Sequence, residues 1–409
     1  MDFFRVQTTQ QVKEIIKSTK PLDEEDVALE DAAGRILAEE CIVQDAFPPF
    51  DRSAMDGYAV QAQDTFGASE SNPTPLEVLG EVRMGERPSS SIQPGGAIKI
   101  ATGGMLPEGA DAVVMVEHTQ VMDEHTIQVL RGVAPGENVI HRGEDLKEGE
   151  KILEKGHLLR PQDLGALAAL GKVRVRVYRR PQVGIISSGD EIVPLEAIPK
   201  DGEIRDTNRY TLWALIKEAG GIPFHLGIAS DDLEDLQGRI AEGLSQGDVV
   251  LISGGSSIGT RDFTVEVIES LPGAQILLHG VAVSPGKPTI LAKTGEKMIW
   301  GLPGHPVSAM VIFMILVAPA LWRMGGRKNW ETPRPWALKA QTSRNIPSAQ
   351  GREDYVRVKL REQDGMLIAT PIFGKSGSIS TMVKGDGLLR IAMESEGVQE
   401  GEEVEVWPF

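Results

Sequence analysis

Residues 248–262 read DVVLISGGSSIGTRD, four apolar residues running into a glycine- and serine-rich turn. A short apolar run closed by glycine fits a strand buried on both faces, as in a parallel sheet. The pattern that follows predicts a helix near Thr264–Leu271. Upstream, Leu233, Leu236, Ile240 and Leu244 share one helical face, preceded by a strand at Pro223–Ile228. Before these come a strand at Gln182–Ser187 and a helix at Thr207–Ala219, closed by Gly220-Gly221. Downstream, strands are expected at Gln275–Leu278, Thr289–Ala292 and Met298–Gly301, then a buried helix after Pro306. Over 181–325 this alternation predicts a mainly parallel sheet covered on both faces.

The flanks read differently. A helix runs from Pro161 to Gly171, followed by a half-exposed strand with Val173, Val175 and Val177 on one side. From Pro48 to Ile140, short apolar runs (Leu76–Val82, Gly96–Ile100, Ala112–Val116) suggest a small β-rich domain. The N-terminus suggests helices at Gln10–Ser18 and Glu30–Ala38 around a strand at Val27–Leu29. The last eighty residues alternate again (Val356, Val358, Leu360; Val404, Val406) and read as a small β-barrel or sandwich. At 409 residues the chain is too long for one core and fits roughly three domains.

Composition removes several functions. A net charge of −17 disfavours sequence-independent binding to a polyphosphate backbone while attracting divalent cations. One cysteine, Cys41, excludes an intrachain disulfide and thiolate-rich metal sites, and reads as a small buried residue. The seven histidines form no i, i+4 pair, which argues against a histidine zinc hydrolase. The N-terminus has no signal-like apolar segment, which points to a cytoplasmic protein. The apolar run Ala309–Trp322 is fourteen residues and is expected to be too short for a bilayer.

Ligands of open α/β sheets sit beyond the carboxyl ends of the strands. Here those ends carry Ser187-Ser188-Gly189-Asp190-Glu191, Asp231-Asp232, Ser253–Asp262, Ser284–Pro288 and Leu302–Pro306. Glycines let backbone N–H groups approach an anion, and carboxylates at the same rim suit Mg²⁺ beside phosphate oxygens. For any single carboxylate, helix capping is the commoner role; five loops at one edge favour a site. The segment 285–288, PGKP, lacks the glycine and hydroxyl of a P-loop. GSSIG at 255–259 matches the nucleophile-elbow pattern, with His279 and His305 downstream, so a serine hydrolase using Ser257 competes as a reading.

The segments PPFDRSAMDGYAV (48–60), IATGGMLPEGADAVV (100–114), HRGEDL (141–146), SSGDE (187–191), IRDTN (204–208), SGGSSIGTRDF (253–263), SPGKP (284–288) and GLPGHPVSA (301–309) occur in this order. Together they resemble the molybdopterin molybdenumtransferase family, molybdenum-cofactor enzymes related to the C-terminal domain of gephyrin. The resemblance runs from about residue 5 to the end.

That resemblance implies a multidomain α/β plus β fold in an elongated homodimer. It has a small α+β N-terminal domain in two segments (1–46 and 141–179), an inserted β-rich domain (47–140), a central α/β domain (180–328) and a C-terminal β-barrel (329–409). It implies insertion of molybdate into adenylated molybdopterin with Mg²⁺-dependent release of AMP. The upstream partner would be a molybdopterin adenylyltransferase, with no nucleic-acid or membrane partner. The family's cleft joins the α/β domain of one subunit to the β-rich domain of the other, so Asp56, Thr102 and Asp145 would face the partner's loops. Glu191, Asp231 and Asp262 fall on its acidic positions, as metal ligands and, with Asp56, as catalytic groups. Ser253, Gly254, Gly255, Pro285, Gly286, Lys287, Pro303 and Gly304 fall on its ligand loops, and the resemblance sets Arg352 and 376–378 beside them at the cleft. The resemblance does not divide metal binding from positioning of the nucleophile among the carboxylates. The chain departs from the family at Ile140, Gly280 and Ser284, where many members carry cations, and at His305, where asparagine is common. These departures leave molybdate and tungstate both open as the working oxyanion. A non-catalytic scaffold is the remaining alternative, although these residues include no long tail for a partner.

Overall fold

Strands β1 (Gln182–Ser188) and β3 (Val249–Gly254) are buried runs because helices cover both sides of their sheet, while β2 (Ile222–Ala229), at the edge, is only part-buried. The computed structural model describes residues 6–254, 260–331 and 337–409, with the backbone alone for 260–262. Strands β4 (Ala274–His279), β5 (Ile290–Thr294) and β6 (Lys297–Leu302) complete the sheet, in the order β2-β1-β3-β6-β5-β4. The β2-β1, β1-β3 and β3-β6 pairs are parallel; β6-β5 and β5-β4 are antiparallel.

The helices are α1 (Asn208–Glu218), α2 (Leu233–Gln246), α3 (Thr260–Ser270) and α4 (Pro306–Met324). On one face Val183, Ile185, Val249 and Leu251 pack with Leu212 and Ile216 of α1 and with α4. On the other, Ile186, Val250 and Ile252 meet Leu236 and Ile240 of α2 and Val267 and Ile268 of α3. Alternate strand residues thus feed two cores, as the two-residue period requires.

The chain divides into two compact units. The first comprises residues 1–39, 155–160 and 174–409, and so holds this sheet and the C-terminal domain. In the latter, strands β7 (Leu338–Thr342), β8 (Glu353–Gln363), β9 (Met366–Pro371), β10 (Gly387–Ile391) and β11 (Glu403–Pro408) close on themselves through the β8–β10 pairing. Of the barrel or sandwich expected from alternation, the barrel is present, with Val358 and Val406 in its interior. The second unit, residues 40–154 and 161–173, is built on a six-stranded sheet that includes Gly57–Val60, Thr74–Val82, Gly96–Ile100 and Ala112–Met115. Cys41 is buried there.

Three expectations need correction. Glu30–Ala38 is not a helix: one 3-10 turn at Leu29–Asp31 is followed by Gly34 in the left-handed region. Beyond it, Ile36 and Leu37 bridge to Leu158 and Val177. Long-range backbone pairing overrides the local helical pattern here. Val173 lies outside its strand, Arg174–Tyr178, and is 78% exposed, while Val175 and Val177 are buried. Finally, α4 is longer than the apolar run suggested. Its 19 residues are long and apolar enough to cross a membrane, yet its most apolar window is 78% buried inside the protein. A π turn at Phe313–Val317 precedes Pro319, whose missing N–H and bulky ring disturb the regular ladder.

Candidate active site

The carboxyl ends of β1, β3 and β6 surround a cavity of about 480 Å³. Its lining includes Ser187, Ser188, Glu191, Arg205, Asp206, Asn208, Asp231, Ser253, Gly254, Gly304, His305 and Gly377. Of the residues singled out from the sequence, Glu191, Asp231, Ser253, Gly254 and Gly304 come together here.

The cavity is held open by a small polar network. Buried Asn208, at the start of α1, donates through Nδ2 to Ser253 Oγ at 2.6 Å and to the Gly304 carbonyl at 2.7 Å. One amide thereby ties the end of β3 to the turn after β6. Asp206, also buried, accepts from Ser187 Oγ at 2.6 Å and from the Arg209 backbone N–H at 3.1 Å. Gly254 has φ +133°, and a Cβ there would lie 1.9 Å from the Ser188 carbonyl oxygen. Only glycine lets β3 run this close to β1 at the rim.

The rim is acidic. Asp231 is largely exposed, but partial withdrawal from water raises its carboxyl pKa, and the nearby Asp190 and Glu191 charges raise it further. The Ser188 hydroxyl opposes this shift. Asp190 accepts the Asp231 backbone N–H at 3.1 Å. The next residue, Asp232, has the ordinary capping role, accepting from the N–H groups of Glu234 and Asp235 at the start of α2. Arg205 lies at the same cavity, its Nε on the carbonyls of Leu195 and Ala197. From the barrel, Ser376 meets His305 Nδ1 at 2.8 Å.

Glu191 and Asp231 are hard oxygen donors crowded by like charge, which a divalent cation would relieve; two carboxylates with phosphate and water suit Mg²⁺. Among the described residues no group of three histidine, cysteine, aspartate or glutamate side chains is placed to hold a metal. The third expected ligand, Asp262, has its side chain outside that description, as Gly255 and Ser257 lie outside the described residues.

Pro285, Gly286, Lys287 and Pro303 do not line this cavity. Gly286 sits against α4, where an added Cβ would meet Ile312 at 2.5 Å, and the Lys287 carbonyl accepts from Val281 and Thr289. Val283–Ser284 adds to the barrel edge beside Glu353 and Asp354.

In the second unit the motif segments also converge. The Ser53 N–H donates to the Gly104 carbonyl, the Ser53 carbonyl accepts from the Gly103 N–H, and the Gly143 N–H donates to the Pro48 carbonyl. Asp56 Oδ1 accepts from the Thr102 N–H at 2.7 Å and its hydroxyl at 2.9 Å. These two bonds, the backbone one first, hold the Asp56 pKa below its ordinary value. Asp145 is exposed, and its N–H bonds to the Phe47 carbonyl.

Sequence reading passed over Asp206, Asn208 and Arg205 as site residues. Their signal was the IRDTN segment at 204–208, a charged and amide-bearing turn before a helix.

Comparison with known proteins covers nearly the whole chain. Residues 6–171 match the MoeA N-terminal region (domain I and II), 184–323 a probable molybdopterin binding domain, and 339–409 the MoeA C-terminal region (domain IV). A molybdopterin molybdenumtransferase of Bacillus subtilis is 34% identical over 97% of this chain and 92% of its own length. Its Haemophilus influenzae counterpart is 36% identical over 95% of each. The crystal structure of a molybdopterin biosynthesis moeA protein from Pyrococcus horikoshii OT3 superposes with a TM-score of 0.85 at 36% identity, covering 99% of this chain and 100% of that one. With the same domains in the same order over its full length, the chain belongs to the molybdopterin molybdenumtransferase family of transferase enzymes.

Proposed function

We propose that the chain inserts molybdate into adenylated molybdopterin with Mg²⁺-dependent release of AMP. The observation that carries this reading is the 480 Å³ cavity, where glycine turns, hydroxyls and carboxylates meet at the ends of parallel strands. Phosphate oxygens would lie against the Gly254 and Gly304 turns, with Arg205 supplying guanidinium donors. Glu191 and Asp231 would hold Mg²⁺, joined by Asp262 from α3. When bound, Mg²⁺ would neutralise charge on the phosphate oxygens. A water oxygen attacks one phosphorus of the pyrophosphate and gives up its proton, the bridging P–O bond breaks, and the bridging oxygen stays on the other phosphate, which releases AMP. Molybdate then joins the dithiolene: two Mo–S bonds form while one oxide leaves with the two thiol protons as water. Asn208 and Asp206 position the Ser253 and Ser187 hydroxyls around the bound phosphates.

The substrate is small and anionic, supplied by a molybdopterin adenylyltransferase, and the reaction belongs in the cytoplasm. The test is incubation with adenylated molybdopterin, Mg²⁺ and molybdate or tungstate, following AMP. AMP release that requires Mg²⁺ and oxyanion is expected; none under these conditions overturns the reading.

We also propose a homodimer with sites shared between copies, Asp56 and Thr102 from one chain and Glu191 and Asp231 from the other, as the family resemblance implies. Mixed Asp56→Asn and Glu191→Gln chains should then recover roughly a quarter of wild-type activity, because about half the dimers carry one intact site of two. No recovery after confirmed subunit exchange counts against sharing.

A further inference from the structure

Strand β1 ends at the candidate active site; its start, after Pro181, opens on a second cavity of about 120 Å³. Seven strand residues at about 3.3 Å each separate the two by roughly 20 Å. The second cavity is lined by four arginines, Arg35, Arg179, Arg180 and Arg327, together with Tyr178 and Trp322. In a chain of net charge −17 this clustering runs against the overall field.

Two of the four are neutralised. Arg179 forms a bidentate pair with Asp248 at 2.8 and 2.9 Å, and Arg35 pairs with Glu25 while donating to the Tyr178 carbonyl at 3.0 Å. Arg35 is 7% exposed, and its buried Nε–H has no hydrogen-bond partner among the described residues. A buried donor left unpaired carries its full desolvation cost, which an acceptor in the cavity would remove.

Arg180 and Arg327 are the other two. Among the described residues neither guanidinium has an ion pair or a side-chain hydrogen bond. Arg327 is oriented by stacking 4.7 Å over the Trp322 ring. Withdrawal from water lowers the pKa of both; for Arg180 the nearby Arg35 charge adds to this and the Glu25 carboxylate opposes it. Glu218, the carboxylate in the lining, has an interaction of its own. The ends of α1 and α4 lie here too, and arginines can neutralise helix carboxyl ends. That role alone is a poor fit: the Arg327 backbone N–H already serves the Trp322 carbonyl, and among the described residues neither guanidinium donates to a terminal carbonyl.

The space suits one tetrahedral ion and falls below the roughly 300 Å³ of an ordinary small-molecule site. We propose that this cavity binds a tetrahedral oxyanion of the phosphate class, free or as a terminal phosphate monoester, held by Arg180, Arg327 and the Arg35 Nε–H. It is separate from the cavity where catalysis is placed and needs nothing from that reaction.

The test is calorimetric titration of the full chain with inorganic phosphate, for wild type, Arg180→Gln and Arg180→Gln/Arg327→Gln. Each lost charge-assisted contact should weaken binding about tenfold or more. AMP release measured without added phosphate should be unchanged, which distinguishes this cavity from the catalytic one. If the chain releases no AMP at all, the titration still decides. Titration with glycerol 3-phosphate separates the two sources: arginine-dependent binding of it assigns a monoester, and binding of phosphate alone assigns a free ion. Should the double variant lose its fold, Arg180→Gln, at an exposed position, carries the test. Undiminished phosphate binding in a folded variant, or no millimolar binding by wild type, overturns the proposal.

Discussion

Asp56 and Asp231 are the same residue type in different units, and their surroundings push them in opposite directions. Asp56 receives two hydrogen bonds from Thr102, which favour its charged form. Asp231 is partly withdrawn from water beside Asp190 and Glu191, which disfavours its charge. The first carboxylate is already satisfied by the Thr102 turn of its own unit, whereas the second stands uncompensated beside like charge. Similar motif richness in sequence therefore covers two kinds of preparation: a fixed acceptor in one unit and an uncompensated acidic rim in the other.

The largest test of this contrast concerns backbone approach. In each unit a glycine beside the site segment leaves no room for a methyl group: a Cβ at Gly254 or at Gly57 would lie 1.9 Å from a carbonyl oxygen. Gly254 alone has positive φ in addition. Gly254→Ala should cost about 2–5 kcal/mol and Gly57→Ala about 1–3 kcal/mol in urea unfolding. Equal small losses would show that both rims relax freely.

Next is metal dependence. Asp231→Asn should raise the Mg²⁺ concentration for half-maximal AMP release by about ten- to a hundredfold, the worth of one charge-assisted contact. Asp56→Asn should lower the rate but leave the Mg²⁺ concentration for half-maximal residual AMP release unchanged. A shift of similar size in both variants would erase the distinction.

Stability against pH should separate them without substrate or metal. The folded pKa of Asp56 is below 3.8, so its stabilising contribution is present above that value and is lost as pH falls through the folded pKa. The folded pKa of Asp231 is above 3.8, so its ionisation destabilises the fold increasingly as pH rises from 3.8 through the folded value. At about pH 7, Asp231→Asn should therefore raise Tm and Asp56→Asn should lower it, with both differences shrinking below 3.8. Matching signs at neutral pH would contradict this.

The smallest effect belongs to Thr102→Val. It removes the hydroxyl donor but keeps the backbone N–H, the larger cause of the lowered pKa. Carboxyl NMR titration should show Asp56 moving part of the way back towards 3.8. A full return would mean that the backbone bond depends on the hydroxyl.

Much of the α/β domain was legible because its signals are local. The run Val249–Ile252 ended by Ser253 and Gly254 marks a buried strand by composition alone, and Leu236 and Ile240 mark the buried side of their helix by spacing. The positions of Glu191, Asp231, Ser253, Gly254 and Gly304 at one cavity follow from the rule that parallel strands present their carboxyl ends together. Glu30–Ala38 misled for the opposite reason: its fate rests on backbone pairing with Leu158 and Val177, more than a hundred residues away.

By itself, the sequence determined which segments become strands and helices in the α/β domain, which turns must be glycine, and which family the ordered motifs indicate. Tertiary structure alone decided that Asn208 joins Ser253 to Gly304, and that Asp231 rather than Asp232 lines the cavity. It alone gathered Arg35, Arg180 and Arg327 from three distant stretches of chain. The physical reason is range. Hydrophobic period and turn chemistry act within a few residues, whereas hydrogen-bond partners, like-charge crowding and desolvation depend on which distant segments the packed cores bring together.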